Sequence, residues 1–361
     1  MRRSRYSGIL ICVALCWMMD SLFAQSLFRN EIYGVISDSE TGLPLFNVNV
    51  FLASTTRGDA TDAEGYYRIE NIPPGSYQLI VSMIGYELVK LPVQFIANQS
   101  VRKDVQLVPK ILSGDAVLVE AEGPKKWKKQ LERFTEYFIG ATENARSCTI
   151  VNPHVLQFEE NPEGDEFLAR TDSVLVIDNE ALGYRVRINL EQFRLHQDSL
   201  YYTIYPFYTE LTAQDEKQQH RWLKRRRTTY EGSFRHFLSS LARGKVEQEY
   251  FELQRQNEGT VTAGKLDIVH SDTSAAFKYL MYDGYLKVLY KGLSRSGQGA
   301  YVSESQSSFP TSYIKLNFGY ALIDTFGNEW TKMGITRLGY WTRERIADML
   351  PFDYYPTSPT K

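Results

Sequence analysis

Between Glu31 and Pro109 the sequence alternates apolar and polar residues in short runs and halts at a turn signal about every ten residues. That pattern constrains the fold more than any other feature of the chain. "NEIYGVIS" is strand-like and is followed by the turn chemistry of "DSETGLP". "FNVNVFLA" sets Val48, Val50 and Leu52 on one face against Asn47 and Asn49 on the other. "SYQLIVSMIGY" alternates through Tyr77, Leu79, Val81 and Met83, and "VRKDVQLVP" through Val101, Val105 and Leu107. About seven short strands with frequent turns predict an all-β sandwich, and no helical period competes with them.

Within this segment, "TRGDATDAEG" (Thr56–Gly65) admits two readings. Asp59, Asp62 and Glu64 could be oxygen ligands of a metal loop. A calcium loop, however, spaces its ligands at alternate positions and ends on a bidentate Glu, and "DATDAEG" lacks that spacing. Asp side chains also accept hydrogen bonds from the backbone two residues on, and glycine supplies positive φ. The expectation is a turn between strands.

Several spaced pieces of this segment then agree in order: Gly34, Asp38, "TGLPL", Val48 and Val50, "TDAEGYYRI", "PPGSYQL" and "GYE". Together they resemble the carboxypeptidase regulatory-like domain, a transthyretin-like β-sandwich, over about eighty residues, less than a quarter of the chain. In metallocarboxypeptidases this module is a non-catalytic companion, so the resemblance implies no peptidase activity. Similar modules stand at the N-termini of TonB-dependent receptors and other Gram-negative envelope proteins, which implies an envelope location.

The first residues are not part of the fold. "MRRSRYSG" is basic, "ILICVALCWMM" is apolar and Ala24 precedes Gln25, so Met1–Ala24 reads as a cleavable secretory signal, too short for a comfortable membrane span. Its removal takes three arginines and one aspartate from 41 basic and 43 acidic residues, leaving 38 and 42. A near-neutral chain is not built for bulk nucleic-acid binding. Cys148 is then the one remaining thiol of three, which rules out an internal disulfide framework. It lies in the strand-like "SCTIVNP", and a small buried hydrophobe is the plain reading; a nucleophile would need a histidine, with His154 near in sequence.

After the sandwich (28–109) and a linker (110–129) that contains "DAVLVEAEG" and a lysine cluster, the text changes. The region 130–361 reads as α+β. Trp127, Leu131, Phe134 and Phe138 sit at helical spacing, "DEKQQHRWLKRRRTTYEGSFRHFLSSLARGK" is helical and basic, and "TRERIADMLP" predicts a short closing helix. Between them lie strand-like runs such as "LGYRVRINLEQFRL" and "SYIKLNFGYALID". The pieces "FIGATENARSCTIVNP", "NEALGYRVRINL" and "GSFRHFLSSL" resemble the region found behind this module in other envelope proteins, a resemblance that brings no activity with it.

Chemistry-bearing motifs are sparse. A carboxypeptidase-type zinc site needs His-x-x-Glu and a distant His. The residues three after His154, His196, His220, His236 and His270 are Gln157, Ser199, Leu223, Ser239 and Thr273, so no such site is expected. There is no Gly-x-Ser-x-Gly, Walker or Gly-x-Gly-x-x-Gly motif; "GLSRSGQG" only approaches the first. No cofactor is expected. The densest charge run, Arg221 with Lys224, Arg225, Arg226 and Arg227, is either a solvated helix face or a patch for an anionic ligand such as a lipid phosphate.

Three functional classes remain open at this level. The first is a non-catalytic envelope protein whose α+β region binds a protein or glycan at the periplasmic face of the outer membrane. The second is an envelope hydrolase with a scattered carboxylate site. The third is an integral outer-membrane barrel, which needs eight or more strands of about ten residues with apolar outer faces.

Overall fold

The computed structural model describes residues 30–96, 98–110, 123–197, 199–255, 259–261, 269–271, 277–292 and 309–356. The leader read over Met1–Ala24, linker residues 111–122 and most of "GLSRSGQG" lie outside the described residues.

The alternating N-terminal segment forms the expected sandwich. Its strands are β1 (Asn30–Asp38), β2 (Asn49–Leu52), β3 (Gly58–Ala60), β4 (Tyr66–Ile72), β5 (Gly75–Ser82), β6 (Val89–Phe95), β7 (Ser100–Arg102) and β8 (Val105–Leu107). One sheet sets β4 antiparallel to β1, with β7 and β8 both parallel to β1. The other has the order β3-β2-β5-β6. Ile32, Ile36, Val50, Leu52, Tyr67, Leu79 and Val81 meet between the sheets. "VRKDVQLVP", one strand by alternation, is two. The chain breaks at Lys103–Asp104, where it crosses Gly34 so closely that any side chain on Gly34 would strike the Lys103 carbonyl. Asp104 accepts the Val35 N–H at 3.0 Å and the Tyr67 hydroxyl donates to the Lys103 carbonyl at 2.8 Å, fixing the crossing.

Helix α1 (Pro124–Ile139) begins inside the span read as linker, with Pro124 in its first turn, where the missing N–H costs nothing. Its Phe134 and Phe138 rings stack on each other and meet Phe193 at 60° and 77°, as the helical spacing requires. Below the helix lies a sheet of β9 (Cys148–Ile150), β10 (Leu156–Glu160), β11 (Glu166–Thr171), β12 (Leu175–Asn179), β13 (Tyr184–His196) and β14 (Ser199–Glu210). Its order is β10-β11-β13-β12-β9, and β14 pairs with β13 along its length around a bulge at Leu190–Gln192.

The basic stretch becomes two helices, α2 (Glu216–Tyr230) and α3 (Phe234–Ala242). Asp215 caps the first by accepting the Gln218 N–H, and Ser233 caps the second by accepting that of His236. Strands β15 (Phe251–Arg255), β16 (Gly259–Val261), β17 (Val269–Ser271), β18 (Phe277–Met281), β19 (Tyr285–Tyr290), β20 (Thr311–Leu316), β21 (Tyr320–Asp324) and β22 (Ile335–Gly339) follow. They form the sheets β16-β15-β19-β20-β22 and β17-β18-β21, which enclose a core with α3.

The region after the sandwich therefore holds two hydrophobic cores, one under α1 and one around α3. "TRERIADMLP" is not a helix but two 3-10 turns, Tyr340–Arg343 and Ile346–Asp348. Trp341 is buried in the core around α3, whereas Ile346 and Leu350 belong to the core under α1. A chain that must serve two cores within ten residues bends between them. The whole is β-rich with three helices among the described residues, a sandwich followed by a mixed region.

Candidate functional site

The acidic stretch resolves into two parts. Asp62 Oδ1 accepts the N–H groups of Glu64 and Tyr66, at 3.1 and 2.8 Å, and Asp59 accepts those of Ala60 and Arg68, each at 2.8 Å. Gly65 takes the positive φ of the turn. Those acceptor positions are spent on backbone, and among the described residues no group of three or more His, Cys, Asp or Glu side chains is arranged to hold a metal. The first part, Thr56–Gly58, does something the sequence did not announce: it docks the sandwich onto the rest of the chain.

Ser54 donates its N–H to Pro206 at 2.6 Å, and Tyr208 donates back to Thr55 at 3.0 Å, so the loop after β2 pairs in parallel with β14. The Phe352 N–H reaches the Ser54 carbonyl at 2.7 Å. Asp353 accepts the Thr56 N–H and hydroxyl, the latter at 2.5 Å, and lies 3.3 Å from the Arg57 guanidinium. Higher on the same face Ser82 donates to Asn189 at 3.0 Å, Lys90 meets Glu191 at 2.8 Å, and the Phe51 and Phe207 rings lie 5.2 Å apart. Phe51 and Ile80 are register partners on β2 and β5. Both point away from the sandwich core, yet both are buried, because the β13–β14 sheet covers them.

A second contact closes one end of the sandwich. Phe326, from the turn after β21, is part of the sandwich core, with its ring 5.5 Å from that of Tyr77. Any side chain at Gly75 would strike it. Asp324 builds the turn. Its carboxylate accepts the N–H groups of Phe326 and Asn328, the Asn328 amide and the Trp330 indole at 2.8–3.0 Å. Burial nonetheless holds its pKa above the usual carboxylate range. Arg235 of α3 pins the turn to the tail, donating to the carbonyls of Phe326, Leu350, Pro351, Phe352 and Tyr354 at 2.8–3.3 Å.

The basic run disperses over its helix. Arg226 is only 2% exposed; it donates to the carbonyls of Leu182 and Gly183 and to Glu210, and its guanidinium lies 3.9 Å from the centre of the Tyr184 ring. It is a structural bolt and leaves the expected surface patch. Arg225 is paired with Glu143 and Arg227 with Glu231, while Arg221 and Lys224 remain exposed. Cys148 is mostly enclosed, and burial pushes its thiol up to about 12, so it carries no thiolate at neutral pH. The buried His236 accepts the Gly232 N–H on Nδ1 at 3.0 Å and faces Glu249 through Nε2 at 3.1 Å. Ser240 and Arg243 converge on the same carboxylate, so the cluster ties α3 to the following turn rather than freeing a base. The arrangement as a whole is a joint, built from backbone pairing, ring packing and buried hydrogen bonds.

Comparison with known proteins agrees with the architecture of the first module. Residues 32–119 match the family model for the CarboxypepD_reg-like domain. The TonB-dependent receptor P39 of Formosa agariphila is 33% identical over 130 residues, which is 35% of this chain and 11% of that receptor. The TonB-dependent transporter Oar of Myxococcus xanthus is 30% identical over 125 residues, 33% of this chain and 11% of the transporter. The chain thus spans about a tenth of the length of these relatives. Among solved structures, the group B streptococcus pilus 2b backbone protein aligns over 23% of this chain and 42% of its own with 17% identity, at a TM-score of only 0.20. Residues 32–119 of this chain match the CarboxypepD_reg-like domain, the N-terminal domain that it shares with TonB-dependent receptors.

Proposed function

We propose that this is a non-catalytic protein of the bacterial cell envelope, exported by its leader, whose mixed region binds a protein or glycan at the periplasmic face of the outer membrane. The observation that carries the reading is the match to the CarboxypepD_reg-like domain at residues 32–119, shared with TonB-dependent receptors. The joint supports it. A sandwich bonded through Ser54, Thr55 and Thr56 to β14 and to the tail presents both regions to a partner as one rigid surface, which lowers the ordering cost of binding.

The test is crosslinking in intact cells with a tagged full-length chain and mass spectrometry of what it captures, together with fractionation of the envelope. Recovery of one outer-membrane component from the envelope fraction is the expected outcome. A chain found in the cytoplasm, or an envelope chain that turns over glycan or peptide substrates and loses turnover on a single carboxylate substitution, sinks the reading.

A further inference from the structure

An apolar rim lies at one end of the module around α3. Three turns meet there: Tyr282–Gly284 between β18 and β19, Asn317–Gly319 between β20 and β21, and Thr331–Gly334 before β22. Asn317 binds the last two together. Its N–H donates to the Gly334 carbonyl at 2.8 Å, its amide donates to the Met333 carbonyl at 2.6 Å, and its Oδ1 accepts the Thr336 hydroxyl at 2.8 Å. Strand register brings in the first turn, because Met281 is the partner of Tyr320 and Tyr285 the partner of Lys315.

On this rim stand five exposed apolar or aromatic side chains: Met281 47%, Tyr285 40%, Phe318 59%, Tyr320 43% and Met333 56%. Hairpin tips in water carry polar residues, and large apolar groups clustered on them mark a surface made for something less polar. Basic side chains flank the cluster on one face. Lys315 lies 5.7 Å from the centre of the Tyr285 ring and Lys287 belongs to the next cross-strand pair. Lys332, beside Met333, turns its ammonium onto the Tyr201 ring of β14 at 5.6 Å. Asp283 is an exposed acid of the rim, whereas Glu329 turns inward onto the Ile335 N–H.

We propose that this rim is a membrane-docking edge that enters the headgroup layer of an anionic phospholipid bilayer. Phe318 and Met333, the two most exposed, reach the acyl boundary; Tyr285 and Tyr320 stay at headgroup depth, where a ring with a polar end is favoured. Lys287 and Lys315 keep their stems on the apolar rim and their ammonium groups on lipid phosphates. Charge complementarity and shape choose this occupant. Protein hot spots are desolvated clusters that fill pockets, whereas these side chains stand exposed on turns with cations beside them. The Asn317 latch holds the turns in place, so docking orders little that is not already ordered. The inference does not rest on the receptor-related reading above.

The test uses the chain purified after export, sedimented with vesicles of equal parts phosphatidylglycerol and phosphatidylcholine and, separately, of phosphatidylcholine alone. Binding to the anionic vesicles that falls with salt is expected. Phe318→Ser with Met333→Ser should weaken it roughly tenfold or more, and Lys315→Ala or Lys287→Ala roughly fivefold each. Unchanged thermal melting shows that each variant is folded, since none of the substituted groups is buried. Absence of sedimentation, equal binding to both vesicle types, or binding that the Phe318 and Met333 substitutions leave intact overturns the proposal. A dimer in solution that those substitutions dissociate also overturns it, by assigning the rim to a second copy of the chain.

Discussion

Phe326→Ala should loosen a domain that lies some 230 residues away in sequence. Phe326 is 4% exposed and belongs to the core between the sandwich sheets, against Tyr77 and beside Gly75. Truncating a buried phenylalanine costs about 3–5 kcal/mol, the upper part of that range applying where the surroundings cannot collapse. Here they are held from two sides, because Asp324 accepts the Phe326 N–H at 2.9 Å and Arg235 donates to its carbonyl at 3.0 Å. The turn cannot sink into the space the ring leaves. At roughly 2–4 °C per kcal/mol, even the low end lowers the Tm by about 6–12 °C. Differential scanning calorimetry with amide exchange is the assay. One shared transition should move down, and protection should fall together in β5, at Leu79 and Val81, and in β21, at Leu322 and Ile323. Phe46→Ala, which trims an equally large but 65% exposed ring on the same domain, should stay within about 0.5 kcal/mol. Two separate calorimetric transitions, with β5 protection unmoved by Phe326→Ala, would refute the idea that the core is shared.

Other outcomes follow from the same geometry. Arg226→Met should cost about 1–3 kcal/mol in denaturant titration by leaving the Leu182 carbonyl without its donor, since Glu210 is half exposed and the Gly183 carbonyl keeps the Leu211 N–H, while Arg221→Ala and Lys224→Ala stay within about 0.5 kcal/mol. Asp62→Ala should cost roughly 1–2 kcal/mol through its two lost N–H partners, and millimolar calcium should leave the parent Tm unmoved; a calcium-dependent rise would restore the metal-loop reading. The hydrogen bond from Lys90 holds Glu191 below its ordinary 4.5, and the same bond holds Lys90 above its ordinary 10.5. The depressed acid contributes stability that is present above 4.5 and lost as pH falls through its folded value; the raised base contributes stability that is present below 10.5 and lost as pH rises through its folded value. Lys90→Ala should therefore lower stability evenly across the neutral range and flatten both flanks. At partly exposed groups the effect is at most about 1 kcal/mol, and pH-dependent melting measures it.

The sandwich was legible because alternation reports burial on one face of a sheet, and that held from β1 to β8. The joint was less so. Its local trace was present in "QLIVS", where Ile80 interrupts the polar side of the alternation, and in "NVFL", where Phe51 does the same. Each signals a strand covered on both faces, but neither names the β13–β14 sheet that covers it. Arg226 was read by charge as one of a surface cluster; by period it falls with Trp222, Thr229 and Tyr230 on the buried stripe of α2. Phe326 and Arg235 were illegible in kind, since "TFGNEW" has the chemistry of a turn and its partners lie far away in the chain. The rim around Asn317 hides for a related reason: Met281 and Phe318 look like core residues until the register leaves them outside.

The bonding of Arg235 also fixes an order of events. Its five acceptors come from Phe326 and from Leu350, Pro351, Phe352 and Tyr354, all synthesised well after the sandwich strands. A chain emerging N-terminus first completes the two sheets early, but their end near Tyr77 stays wet until the turn and tail arrive. Emergence of the chain thus yields a half-closed domain that the later turn and Leu350–Tyr354 finish. Chaperones that hold exposed apolar edges have a defined interval in which to act on it, from the emergence of β8 to that of Tyr354.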